Sequence, residues 1–292
     1  MPLKRVTLSG RLAQYEDEKP EIVIPILVKM LAMAFDIGLA FGVAVLSYKV
    51  FMGQLAPPYE RGFYCYEIEG INHPFQPNTV SSKHVIAVSL GLPFFVIFIA
   101  EALFSYSAEG IKGRRKYFFF ATSKYLGYMC LFTICVLLIE AAKCIFSRLR
   151  PHYLSVCKPD WSYINCTSPT AYITSAHCTG TDEHRIKIGR QSFPSGHSGV
   201  AVFFLFYTFM YLKGLVDTTK LRTFVLLRYL VLIPLLSWTA FVLVTRVTDH
   251  WHHPTDVLGG IIIGIICASI PFICKCEGYQ YVRNRMQNLH HE

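Results

Sequence analysis

The sequence predicts an all-α integral membrane protein in which six transmembrane helices form one bundle. Of its 292 residues, 53% are hydrophobic and only 16% are charged, which is too apolar for an ordinary soluble domain. The charged residues also cluster between long apolar runs. Six of these runs reach or approach the roughly 20 apolar residues that a bilayer-spanning helix needs. Both observations favour a multi-pass membrane protein.

The six runs leave two polar tails and no second domain. They cover approximately residues 24–48, 84–106, 117–142, 196–212, 224–247 and 257–274. No internal repeat with a period of about 20 to 50 residues is apparent. We therefore expect an N-terminal tail over residues 1–22, one six-span domain over residues 23–275 and a C-terminal tail over residues 276–292.

The distribution of Lys and Arg favours a cytosolic position for both tails. These residues are more numerous in the tails and in two short loops than on the opposite side, where most of them lie in one long loop. Short loops dominate the positive-inside rule. The first 20 residues contain no apolar core, so we expect the first span, rather than a cleavable signal peptide, to direct insertion.

Three polar clusters lie at the ends of apolar runs, at residues 143–151, 193–197 and 245–256. So many ionisable groups beside a hydrocarbon core are costly, and they are typical of functional sites. The first cluster follows the third span, the second opens the fourth, and the third lies between the fifth and sixth. All three therefore fall on one face of the membrane, which is the extracytosolic face if the termini are cytosolic.

The first cluster contains Lys143 and Arg150, seven residues apart and followed by Pro151. On a continuing helix this spacing projects both cations from nearly the same side. A compact ammonium and a planar guanidinium together suit phosphate oxygens. The alternative is that both side chains flank a span and reach to the headgroup region.

The second cluster, Pro194-Ser195-Gly196-His197, favours the start of a helix. Ser195 can cap that helix, Gly196 allows a ligand to approach the backbone, and the free N–H groups attract an anion. His197 on the first turn can donate a proton to a leaving oxygen. A helix cap alone would need Ser195 but not His197.

The third cluster places Arg246 before His252 and Asp256. We expect Asp256, four residues after His252, to bond one ring nitrogen and leave the other as a nucleophile that can form a phosphohistidine. A polar interhelical loop explains this composition but not the spacing. His250 and His253 are expected to be interfacial or to tune the local field. We expect no metal site here, because His252 and the adjacent His253 cannot easily converge on one ion and a carboxylate-rich setting is missing.

Together, Lys143 with Arg150-Pro151, Pro194-Ser-Gly-His197, and Arg246 with His252 and Asp256 resemble the three-part signature of the type 2 phosphatidic acid phosphatase superfamily. The chain is most similar to its animal lipid phosphate phosphatases, including the insect Wunen-type members, over about residues 20 to 275. It departs at Thr245, where the family usually has serine, although threonine keeps the hydroxyl.

This resemblance implies metal-independent hydrolysis of lipid phosphate monoesters: phosphatidate, lysophosphatidate, sphingosine 1-phosphate or ceramide 1-phosphate. His252 would be the nucleophile, Asp256 its orienting partner and His197 the general acid. The phosphate would be held by Lys143, Arg150, Ser195, Gly196 and Arg246. Two alternatives stay open: a lipid headgroup phosphotransferase, and a non-catalytic binder or transporter of lipid phosphates.

The remaining features concern the membrane and possible modification. The formal net charge of +9 comes without a basic run interleaved with aromatic residues, so we expect membrane lipids and no nucleic acid as partners. Asn165 begins an Asn-Cys-Thr sequon in the long extracytosolic loop and is a candidate glycosylation site. Four cysteines on that face (Cys65, Cys157, Cys166 and Cys178) could form one or two disulfides of undetermined pairing. We expect the plasma membrane, with the endoplasmic reticulum or Golgi as the alternative, and homo-oligomerisation stays open.

Overall fold

The computed structural model describes residues 59–109 and 114–273, together with eight isolated helical positions between residues 28 and 45. Five long helices dominate this part: α1 Ser82–Glu109, α2 Arg114–Phe146, α3 Gly196–Thr219, α4 Arg222–Thr248 and α5 Pro254–Ile273. All five are long and apolar enough to cross a membrane. They correspond to the second to sixth expected spans, whereas the two tails and most of the first expected span lie outside the described residues.

Helix α3 is the most buried of the five helices and packs against the other four. Its contact with α5 is very close because α5 has glycine at the crossing. A Cβ atom on Gly264 would lie 2.5 Å from the carbonyl oxygen of Gly199 and 2.9 Å from the amide nitrogen of Phe203. Small residues allow helix backbones to approach each other in this way. As a result, the first turns of α3 and α5 lie side by side, and Ser195 N–H donates to the Asp256 carbonyl over 2.9 Å.

A buried polar group joins α1, α2 and α3 far from that end of the bundle. Lys124 Nζ lies 2.5 Å from Glu101 Oε1, and the Tyr211 hydroxyl donates to the same oxygen over 2.8 Å. Ionisable residues at such depth are stabilised by one another. We call these three residues the far-end triad.

A folded layer of residues 59–81 and 147–195 covers the other end of the bundle, and we call it the cap. Strand β1 (Phe63–Tyr64) pairs antiparallel with β2 (Tyr172–Ile173). Short helical segments surround this pair, at Cys65–Glu67, Ile68–Ile71, Tyr153–Cys157, Trp161–Tyr163 and Glu183–Gly189. Two disulfides, Cys65–Cys166 and Cys157–Cys178, cross-link the cap, so all four expected cysteines are paired.

Candidate active site

The three polar clusters meet where α2 ends, α3 begins and α4 turns into α5, directly beneath the cap. Six of the eight expected active-site residues are at most 7% exposed, namely Lys143, Arg150, Ser195, Arg246, His252 and Asp256. Gly196 and His197 are partly buried. The expectation that distant parts of the chain form one site agrees with this geometry.

His252 lies in the turn between α4 and α5. Its Nδ1 atom is 2.7 Å from the Ser192 carbonyl oxygen, which can only accept a hydrogen bond, so Nδ1 carries the proton. Burial lowers the pKa of His252 well below its ordinary value, and the charges of Arg150, Lys143 and His197 add to this effect; the bond to Ser192 opposes it. The imidazole is therefore neutral near pH 7, with an unprotonated Nε2.

The expected hydrogen bond between Asp256 and His252 is absent, because Asp256 Oδ2 lies 4.0 Å from His252 Nδ1. Asp256 instead accepts from the backbone N–H of His253 over 2.9 Å and lies 3.2 Å from its Nδ1. The reason is the start of α5 at Pro254. An acidic side chain on the first helical turn reaches back to the N–H group that precedes the helix, whereas His252 lies outside the helical spacing that the sequence argument assumed.

Ser192 connects the two residues that were expected to touch. Its hydroxyl donates to Asp256 Oδ2 over 2.6 Å while its carbonyl accepts from His252. Ser192 is fully buried. Hydrogen bonds thus connect Asp256 to His252 through one intervening residue, and we call this connection the Ser192 bridge. Arg148 completes the surroundings of Asp256, with Nη1 2.6 Å from Oδ1.

The start of α3 supplies unpaired hydrogen-bonding groups. Ser195 caps the helix, and its hydroxyl oxygen accepts from the Ser198 hydroxyl over 2.9 Å and from the Ser198 N–H over 3.4 Å. The first N–H groups of a helix have no partner within it, and they attract anions. His197 Nε2 is buried and has no hydrogen-bond partner in the described part of the chain. A ligand atom that satisfied this nitrogen would remove a cost of about 1–3 kcal/mol.

Lys143 and Arg150 approach the site from the end of α2. Lys143 Nζ would lie 3.2 Å from a Cβ atom on Gly196, so the missing side chain lets the ammonium reach the start of α3. It also forms a 2.6 Å ion pair with Glu140. The Arg150 guanidinium lies 4.7 Å from the centre of the Trp251 ring, and its Nε has no partner in the described residues. Burial lowers the pKa of Arg150 to about 9, so it remains a cation near neutrality.

Arg246 is fully buried and holds the segment that leads into α1. Its guanidinium donates to Asn78 Oδ1 over 2.6 Å and to the Val80 carbonyl over 3.3 Å. Asp249 fixes the same segment by accepting from the Thr79 N–H and hydroxyl, each over 2.8 Å. Arg246 Nε is buried without a partner in the described part of the chain. Arg246 therefore has one free donor in addition to its structural bonds.

Four contributors were not predicted from the sequence: Glu140, Arg148, Ser192 and Asp249. Each had a weak signal, because each lies inside or within a few residues of one of the three clusters. Glu140, for example, precedes Lys143 by one helical turn. This signal was not enough to assign the four residues to the site, because the direction of a side chain depends on where its helix begins.

A cavity of about 330 Å³ opens beside these groups, between α1, α2 and α3. One end holds Glu140, Lys143, Gly196 and His197, and the remainder is almost entirely apolar. That remainder is lined by Ser82, Val85, Ile86, Val136, Ile139 and Val200. The cavity therefore offers an apolar molecule with one polar end a path to the catalytic cluster.

Within the described ranges, no group of three or more His, Cys, Asp or Glu residues is arranged to hold a metal ion. The charges that could balance an anion here belong to Lys143, Arg150 and Arg246. The arrangement can thus bind a tetrahedral oxyanion in front of an unprotonated imidazole nitrogen.

Comparisons with known proteins agree with this arrangement. Residues 121–276 match the family model described as the PAP2 superfamily. The chain is 32% identical over 216 residues to phospholipid phosphatase 2 of Bos taurus, which covers 73% of this chain and 72% of the relative. It is 31% identical over 218 residues to phospholipid phosphatase 1 of Rattus norvegicus, covering 73% and 74%. No solved structure shows significant similarity to the chain.

Proposed function

The chain belongs to the PAP2 superfamily, and on this basis we propose that it is a lipid phosphate phosphohydrolase, a phosphatidate phosphatase in the broad sense. One observation supports the proposal above all others. The Nε2 of His252 is unprotonated, the charges of Arg150 and Lys143 act on this imidazole, and buried nitrogens of His197, Arg150 and Arg246 have no partner in the described residues. Such unsatisfied groups are what a phosphate monoester would bind.

In the proposed reaction, His252 Nε2 attacks the phosphorus atom and forms an N–P bond. The bond from phosphorus to the lipid oxygen breaks, and the departing alkoxide takes a proton from His197. Water then attacks the phosphohistidine, His197 accepts a proton from that water, and the N–P bond breaks to release inorganic phosphate. The second step thus frees His252 and returns to His197 the proton that it gave in the first step.

Lys143, Arg150 and Arg246 would stabilise the charge on the phosphoryl oxygens, with the Gly196 N–H at the start of α3 contributing. Phosphoryl transfer depends mainly on positioning and on charge stabilisation. Three fixed cations meet that need without a divalent metal. Ser195 assists through the cap that shapes the start of α3, and Asp256 assists through the Ser192 bridge.

The cavity supports a lipid as the alcohol part of the substrate. Its polar end holds the phosphate-binding groups and its apolar part can accept acyl or sphingoid chains. The substrates we propose are phosphatidate, lysophosphatidate, sphingosine 1-phosphate and ceramide 1-phosphate.

We further propose that the site faces the outside of the cell from a six-span domain of residues 23–275 in the plasma membrane, with Asn165 glycosylated. Asn165 is exposed on the cap beside the disulfide-bonded Cys166, which supports an oxidising compartment on that side. The N-terminal and C-terminal tails, residues 1–22 and 276–292, would then be cytosolic.

The test is phosphate release from phosphatidate in detergent micelles containing EDTA. We expect release by the wild type and a loss of at least about 1,000-fold in His252→Ala, since no other group can form the N–P bond. His184→Ala, which changes an exposed histidine of the cap, should be unaffected. Wild-type activity that required added metal would contradict the mechanism. Transfer of phosphate to an added lipid alcohol in place of release would identify a phosphotransferase.

A further inference from the structure

Glu140 is a buried carboxylate at the reactive end of the cavity. It lies on α2 one turn before Lys143, is 6% exposed, and its Oε1 atom is 2.6 Å from Lys143 Nζ. Both residues line the cavity together with His197. Glu140 is therefore adjacent to the place where the lipid oxygen leaves phosphorus.

An acidic residue is costly at this position if its only surroundings are a phosphate and a lysine. It repels the phosphate and reduces the positive charge that Lys143 presents. The ion pair of Glu140 with Lys143 is made through Oε1, and the carboxylate also borders the cavity. It is an acceptor beside a cavity whose remaining lining is almost entirely apolar. A donor on a bound substrate would therefore meet a charged acceptor in this cavity.

We propose that Glu140 is a specificity-determining residue that accepts a hydrogen bond from a donor on the carbon next to the phosphoester carbon. The inference rests on the proposed function and adds a substrate class to it. If the lipid oxygen lies at His197, the phosphoester carbon follows it into the cavity, and the neighbouring carbon lies one bond beyond the phosphoester carbon. Lysophosphatidate carries a hydroxyl there and sphingosine 1-phosphate an ammonium, whereas phosphatidate carries an ester without a donor. Glu140 selects the first two over the third.

The test uses a matched pair of single-chain substrates: lysophosphatidate and its analogue without the 2-hydroxyl group, an acyl propanediol phosphate. We expect wild-type kcat/KM to favour lysophosphatidate by about 10-fold or more, as for a hydrogen bond to a charged acceptor. Glu140→Ala should reduce this ratio to near one. Glu140→Ala also removes the ion pair of Lys143, which changes the affinity for the phosphate group of both substrates alike. This effect therefore cancels in the ratio of the two kcat/KM values.

The two donors are distinguished by Glu140→Gln, which keeps an acceptor oxygen but removes the charge. Relative to substrates without a donor on that carbon, this variant should retain part of the preference for lysophosphatidate. It should lose most of the preference for sphingosine 1-phosphate, whose donor is a cation. Glu101→Gln is the matched control, because it also breaks a buried ion pair but lies in the far-end triad. Its substrate ratios should equal those of the wild type.

Equal wild-type rates on the matched pair would overturn the inference, and this measurement needs no variant to fold. An equal loss on both substrates in Glu140→Ala would also overturn it and leave only the pairing with Lys143. Failure of the proposed function would look different, since wild type would then release phosphate from none of the lipids.

Discussion

Replacing Ser192 by alanine removes a single hydroxyl, which donates to Asp256, and so breaks the link between Asp256 and His252. The lost bond is 2.6 Å long, fully buried and made to a carboxylate. Hydrogen bonds to charged groups contribute about 1.5–3 kcal/mol. If half of this energy, about 0.75–1.5 kcal/mol, serves to hold the Ser192 carbonyl against His252 Nδ1, kcat falls about 4- to 13-fold. KM should change little, because the phosphate-holding cations keep their positions.

The assay is a double-mutant cycle of Ser192→Ala and Asp256→Asn, measured as kcat on one lipid in micelles. Since Asp256 acts through Ser192, we expect the double variant to be about as slow as the slower single variant. Ser155→Ala is a control, because its hydroxyl makes a comparable bond in the cap, to the His152 carbonyl over 2.8 Å. Two results would refute the Ser192 bridge and favour a direct contact between Asp256 and His252. One is that the losses of kcat in the two single variants multiply in the double variant. The other is that Ser192→Ala is as fast as the wild type while Asp256→Asn is inactive.

Two predictions concern stability. Burial lowers the pKa of His152 to about 4; the hydrogen bond to the His250 carbonyl opposes this shift, and the charges of Arg150 and His250 add to it. The contribution of the neutral His152 to stability is therefore complete above pH 6.5 and is lost as the pH falls towards 4. As the pH falls through this range, the free energy of unfolding should decrease by about 1.4 kcal/mol per pH unit more in the wild type than in His152→Gln. Parallel plots of unfolding free energy against pH for the two proteins would contradict the assignment. Gly264→Ala places a Cβ against α3 and should cost about 1–3 kcal/mol and much activity. In Gly91→Ala the Cβ meets no atom within 4 Å, and a similar loss there would exclude the packing explanation.

The long helices could be predicted because apolar run length is a strong local signal, but their ends could not. Helix α3 continues to Thr219, seven residues beyond the expected end at residue 212. These last turns are polar and are stabilised by contacts that a hydropathy argument ignores. Lys213 and Asp217 form an exposed ion pair, and the Thr218 hydroxyl donates to the Gly214 carbonyl. A helix end in the headgroup region therefore extends farther than its apolar run.

The chemistry of the site could be predicted from residue types and spacing, but the pairing of its groups could not. The spacing of His252 and Asp256 suggested a contact, and the start of α5 at Pro254 turned Asp256 towards His253 instead. The backbone of α5 at Gly260 and Gly264 packs directly against α3, which places Asp256 beside the segment that contains Ser192. The cap was also beyond prediction, since its two-residue strands have almost no local signal and its pairing is set by two long-range disulfides.

The far-end triad fastens the same three helices whose opposite ends enclose the cavity. Along α1, Glu101 is roughly 24 Å from Val85 at 1.5 Å of rise per residue. Contacts among Glu101, Lys124 and Tyr211 thus hold the three helices together at the end of the bundle that lies away from the cavity. The far-end triad therefore restrains α1, α2 and α3 at a distance from the substrate-binding groups, whereas the cavity between their other ends is bordered mainly by apolar side chains.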